Sequence, residues 1–138
     1  MDILKQVNET SKGTLMEALN IEYIHVDKDL IRAKMPVDER TLQPFKLLHG
    51  GASLALAETI GSLGSHIVLG PHSSKTSRGA GINASHLRAV RSGYVIGEAR
   101  PIHLGKNTHI WDIKVFDDQD RLVSIARLTN FILEGKGK

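Results

Sequence analysis

The sequence contains no cysteine. That single absence excludes a disulfide scaffold, a thiolate zinc site and a cysteine nucleophile. Aromatic residues are scarce, with Phe 3, Tyr 2 and Trp 1, so a core must be built from Leu, Ile, Val and Ala. No run of five or more like charges occurs, and Lys+Arg outnumber Asp+Glu by only 18 to 15. Basic residues so scattered argue against a nucleic-acid surface, while a mild positive balance suits a small phosphorylated ligand. An uninterrupted membrane span is also missing: the most apolar window, residues 47–70, carries Glu58, five Gly, four Ser or Thr and two His, with no aromatic belt. The first seven residues carry acid early and lack the apolar core of a signal peptide. A soluble cytoplasmic protein that takes neither nucleic acid nor membrane as partner is the expectation.

What is present suits one domain, residues 1–138. A chain of 138 residues with 41% hydrophobic content can bury about two-thirds of its unfolded surface. Residues 1–20 read as one or two short amphipathic helices, from Ile3, Leu4 and Val7 and again from Leu15, Met16 and Leu19. Strand-like alternation follows at 21–26 and 30–35, around an Asp27-Lys28-Asp29 turn. Residues 36–45 form a loop bracketed by Pro36 and Pro44, and the Ala- and Leu-rich segment 52–69 predicts a helix. A polar, mobile loop is expected at 70–78. Strands are expected at 81–90, 94–104, 108–116 and 121–133. Pro101 marks a bulge or an edge, and Asp117-Asp118-Gln119-Asp120 a hairpin. A flexible tail closes the chain at 135–138. Late strands without intervening helices exclude a parallel α/β sheet and point to an antiparallel sheet in an α+β domain.

The apolar residues of 52–69 go all round the helical wheel, which predicts a helix buried on every side. A sheet curled about it, with a second subunit covering the rest, satisfies that demand. Gly61 and Gly64 would each cost about 1 kcal/mol relative to Ala, so a packing reason is expected. Glu58 lies in this apolar helix, where a carboxylate must be paired, hydrogen-bonded or protonated. It is an ion-pair partner for an Arg, a side chain that reaches solvent at a groove, or a general base or nucleophile with a raised pKa in a cleft. His49-Gly50-Gly51 stands at the helix start, where free N–H groups and the positive dipole end can polarise an ester or thioester carbonyl. Two turns of helix, about 12 Å of rise, separate those groups from Glu58, so donors of one subunit could meet the carboxylate of another. Ser62, four residues after Glu58, shares its face and could hold a water.

Other patterns carry less. Gly51-Ala52-Ser53-Leu54-Ala55 lacks the last Gly of a nucleophile elbow. Gly79-Ala80-Gly81-Ile82-Asn83-Ala84 has the wrong context for a dinucleotide loop. Seven His show no ligand spacing, so no metal and no cofactor are expected. Arg78, Arg88, Arg91 and Lys106 form either a solvated face or a rim receiving phosphates.

The stretch 43–62, with Gln43-Pro44-Phe45 and His49-Gly50-Gly51-Ala52-Ser53-Leu54-Ala55-Leu56-Ala57-Glu58, strongly resembles the signature of hotdog-fold acyl-CoA thioesterases. It is most similar to the branch acting on 4-hydroxybenzoyl-CoA, 1,4-dihydroxy-2-naphthoyl-CoA and phenylacetyl-CoA. The likeness extends through Met35-Pro36-Val37-Asp38, Ile82-Asn83-Ala84-Ser85-His86-Leu87-Arg88 and Pro101-Ile102-His103-Leu104-Gly105. It implies a sheet wrapped round the helix, active sites at a dimer interface and a homotetramer of two dimers. It implies roles as well: Glu58 as catalytic base or nucleophile, and the Gly50 N–H, with Gly51 beside it, polarising the carbonyl. Gln43 and His49 would position the thioester, Ser62 would assist the water, and His86 and Arg88 would border the CoA moiety. A hotdog-fold dehydratase or hydratase is the rival, although its loop between His and acid is typically longer. A non-catalytic CoA-binding module is the third reading.

Overall fold

A computed structural model describes residues 2–135; residues 136–138 of the expected tail lie outside the described residues, as does Met1. Two short helices open the chain, α1 (Ile3–Glu9) and α2 (Leu15–Ala18), followed by β1 (Glu22–Val26) and β2 (Ile31–Pro36). The long helix α3 (Gly50–Leu69) comes next, then β3 (Lys75–His86), β4 (Tyr94–Leu104), β5 (Thr108–Asp117) and β6 (Leu122–Glu134). Side-chain caps start the short helices: Leu4 N donates to Asp2 Oδ1 at 3.3 Å and Met16 N to Thr14 Oγ1 at 3.2 Å.

The strands form one six-stranded sheet in the order β1-β2-β4-β5-β6-β3, antiparallel throughout. This is the expected α+β architecture, with α3 laid across the sheet. Alternation on β5 carries Trp111, Ile113 and Val115 to the helix side, all fully buried. The glycines of α3 have the packing role expected of them. A Cβ on Gly61 would stand 2.6 Å from Leu128 Cδ2, and one on Gly64 2.5 Å from Trp111. Helix and sheet therefore touch backbone to side chain at these two positions.

At one end of the sheet, Asn8 of α1 imitates a neighbouring strand. Its Nδ2 donates to the Tyr23 carbonyl at 3.0 Å, and its Oδ1 accepts from the Tyr23 N–H at 2.8 Å. A polar knot lies inside the core. Trp111 Nε1 and Asn130 Nδ2 both donate to Ser65 Oγ, each at 2.9 Å. The Ser65 hydroxyl proton is then left for His109 Nδ1, 2.8 Å away. The bare Nδ1 makes His109 neutral, and burial, seconded by nearby His103, holds its pKa below 6.5.

Two expectations need correction. Residues 75–78 are strand, because Lys75 to Arg78 pair with Glu134 to Phe131; the loop between α3 and β3 is correspondingly short. The same strand ends at His86, before the expected 90, where the N–H groups of Leu87 and Arg88 both turn to the Val123 carbonyl. Helix α3 buries one face, Ala52, Ser53, Leu56, Ala57, Ile60, Gly61, Gly64 and Ser65, while Leu54, Leu63, Ile67, Val68 and Leu69 stay half-buried. The sheet of one chain thus covers one face of α3, and the remaining faces are those that the sequence reading assigns to a curled sheet or a second subunit. The bulge at Pro101 and the hairpin at 117–120 occur as expected: the register shifts between Pro101 and His103, and Asp120 takes φ +63° in the turn.

Candidate active site

The loop before α3 folds as a small bridge that presents Gln43 to the helix start. Leu42 pairs with Leu48, Gln43 N donates to the Leu47 carbonyl at 2.8 Å, and Lys46 adopts φ +65° to turn the chain. Gln43 Oε1 accepts from the Phe45 N–H, so its amide NH2 remains the outward donor. His49 is the N-cap of α3, its Nδ1 accepting from Gly51 N at 2.7 Å. This occupies the Gly51 N–H. The Gly50 N–H has no acceptor among the described residues, so Gly50 is the free donor at the positive end of a 20-residue helix. Because Nδ1 accepts, the His49 proton sits on Nε2, away from the cap.

His86 lies over Gly50: a Cβ there would meet its Nε2 at 2.8 Å. Its other nitrogen, Nδ1, is 2.9 Å from Ser124 Oγ, which fixes the ring. Gln43, Gly50, His86, Arg88 and Ser124 line one cleft of about 300 Å³. Of the basic set Arg78, Arg88, Arg91 and Lys106, only Arg88 lines it. Ser124 escaped the sequence reading because β6 delivers it from 38 residues downstream of His86.

Glu58 and Ser62 lie elsewhere, as a pair on the outer side of α3. They line a depression of about 610 Å³ between that helix and the N-terminal helices, with Leu15, Met16, Tyr23 and His66. Burial pushes the Tyr23 phenol up to about 12, which leaves it a neutral hydroxyl. His49 and Gly51 face a third, shallower depression that shares Ala55 with the Glu58 site. The dry surroundings expected for Glu58 are not found within one chain, where it is exposed. None of the ion pairs among the described residues involves it. The chain therefore holds two separate features: an N–H donor cleft at the start of α3, and a carboxylate beside an apolar depression two turns along. No group of three or more metal-ligating side chains gathers among the described residues.

Comparison with known proteins gives the chain a family. The thioesterase superfamily profile matches residues 45–124, the span from the bridge before α3 to Ser124. The proofreading thioesterase EntH of Cronobacter turicensis is 46% identical over 130 residues, 94% of this chain and 93% of its own. The 1,4-dihydroxy-2-naphthoyl-CoA hydrolase of Escherichia coli is 42% identical, covering 94% of each chain. Among solved structures, a thioesterase of Haemophilus influenzae superposes with a TM-score of 0.93 at 42% identity, covering 99% of this chain and 94% of that one. A profile that spans more than half of the chain, and relatives alike along nearly all of it, have one consequence: this protein belongs to the thioesterase superfamily and is a thioester hydrolase.

Proposed function

We propose that the protein hydrolyses acyl-CoA thioesters of an aromatic or related acid, and that Glu58 is the carboxylate that does the chemistry. The observation that carries this reading is the pairing, on one helix, of an unoccupied N–H at Gly50 with an unpaired carboxylate at Glu58 beside an apolar depression. The first polarises the thioester carbonyl and stabilises the oxyanion. The second removes a proton from water or attacks the carbonyl itself, and Ser62, one turn on, is placed to hold the water. Gln43 offers its amide NH2, and His49 its Nε2–H, to orient the thioester. An aromatic acyl group is supported by the Escherichia coli relative, whose name gives a naphthoyl-CoA as its substrate.

Gly50 and Glu58 of one chain open onto different depressions, so a complete site needs a second copy. In this reading the donors of one subunit face the carboxylate of the other across a dimer interface, and two dimers make a tetramer. The exposed terminal strand β3 supports the pairing. The protein is expected to sediment as a dimer or larger at micromolar concentration; a monomer that retains full activity contradicts the shared site.

Arg88 and His86, beside the Gly50 cleft, are the groups that would border the CoA moiety. Benzoyl-CoA should accordingly be hydrolysed with a higher kcat/KM than the benzoyl thioester of a truncated thiol without the nucleotide. Free-thiol release measures both. Equal values would show that the phosphates contribute nothing, and absence of release from any acyl-CoA would return the dehydratase and binding-module readings.

A further inference from the structure

Strand β3 is interrupted where α3 crosses it. Gly79 is paired with Asn130 and Gly81 with Thr129, so Ala80 is an extra, unpaired residue and the strand bulges. Glu58 Oε2 occupies the point where a side chain on Gly79 would begin. The space taken by the carboxyl is thus the space that Gly79 leaves empty. Gly79 has no positive φ, unlike Gly13, Gly70 and Gly93, so backbone conformation does not demand a glycine here; room does.

A second observation points to the same spot. Asn130, fully buried, spends its amide protons on the Gly61 carbonyl at 3.3 Å and Ser65 Oγ at 2.9 Å. A flipped amide would set its oxygen against the Gly61 carbonyl, so the orientation is fixed. Its Oδ1 is left without a donor and lies 3.9 Å from the would-be Gly79 Cβ. A buried acceptor in this state is costly, and the same would-be Cβ that approaches it also meets the Glu58 carboxyl.

The geometry points to Gly79 as a positioning residue for Glu58: the bulge and its missing side chain, with the Asn130 amide as the inner wall, form the seat that fixes the carboxyl. Asn130 Oδ1 then accepts from the Glu58 hydroxyl once the carboxyl has taken a proton from water. This rests on Glu58 being the reacting carboxylate.

The test is Gly79→Ala in the full chain, assayed with benzoyl-CoA beside Gly81→Ala, where a Cβ would meet open space. Gly79→Ala should lower kcat about a hundredfold with KM within about threefold, and Gly81→Ala should retain the parent kcat. In the Glu58→Gln background, Gly79→Ala should change the residual rate no further, because the residue acts through the carboxyl. A parent-like kcat for Gly79→Ala, an equal loss in Gly81→Ala, or a further loss in the Glu58→Gln background overturns the inference. Should Gly79→Ala fail to fold, adding Glu58→Ala must restore folding, since the crowding is removed; failure to do so overturns it as well. A Glu58→Gln protein with normal turnover would instead sink the reading of Glu58, which separates the two failures.

Discussion

Replacing Glu58 by Gln is expected to lower kcat by about a hundred- to ten-thousandfold, with folding and assembly unchanged. Gln keeps the size and hydrogen-bonding reach of the side chain, yet can neither take a proton from water nor attack a carbonyl. The fold should not register the change, because Glu58 is exposed and joins none of the ion pairs among the described residues. Thiol release from benzoyl-CoA gives the rate, and thermal unfolding and sedimentation give the controls. The donor cleft at Gly50 is intact in this variant, so substrate should still bind and KM should move little. Turnover near that of the parent would remove Glu58 from the chemistry.

Trp111→Ala should have the largest effect on stability, about 3–5 kcal/mol, read as a shift in the denaturant midpoint. The indole is fully buried and is the bed on which Gly64 rests. Its loss removes a large apolar group and also one of the two donors to Ser65 Oγ. A paired substitution sharpens the test. In the parent, Gly64→Ala forces a methyl to within 2.5 Å of the ring and should destabilise, since overpacking costs about 1–3 kcal/mol. In Trp111→Ala the methyl enters vacated space and the gain in helix propensity, about 1 kcal/mol, prevails. The sign of Gly64→Ala should therefore reverse between the two backgrounds. The same sign in both would mean that Trp111 is not what makes Gly64 necessary.

Much of this architecture is legible in the sequence because its signals are local. The alternation of Trp111, Ile113 and Val115 against Asp112 and Lys114 places β5 and its inward face, and the Ala- and Leu-rich run places α3 within two residues of its start. Pro101 announces an irregularity for the same local reason. Residues 75–78 were misread because Lys, Thr, Ser and Arg carry no apolar alternation there. What makes them strand is a partner 55 residues away, since Ser77 pairs with Ile132, and pairing at that distance leaves no mark in a short window.

The candidate site is legible in the residues it singles out and illegible in their arrangement. A carboxylate in an apolar helix and a Gly pair after His49 single themselves out by composition. That His49 occupies the Gly51 N–H, and so leaves Gly50 as the donor, depends on a rotamer. Glu58 is exposed within one chain, because wheel composition counts apolar faces without saying what covers them. Gly79 was noticed only as part of a discarded phosphate-loop pattern. Its neighbour in space, Glu58, is 21 positions away in the chain, and a missing side chain is the hardest feature to weigh without coordinates.

The Asn8 amide that closes on the main chain of Tyr23 decides how this sheet can grow. A bare margin of N–H and carbonyl groups is an invitation to any extended segment, and long stacks form when both margins accept one. Here the β1 margin is stoppered at Tyr23 by a side chain from its own polypeptide, and the opposite margin, β3, is left available. In the proposed dimer, two copies paired edge to edge through β3 would present only stoppered margins to the outside, so growth would end at the pair instead of running on as a fibre.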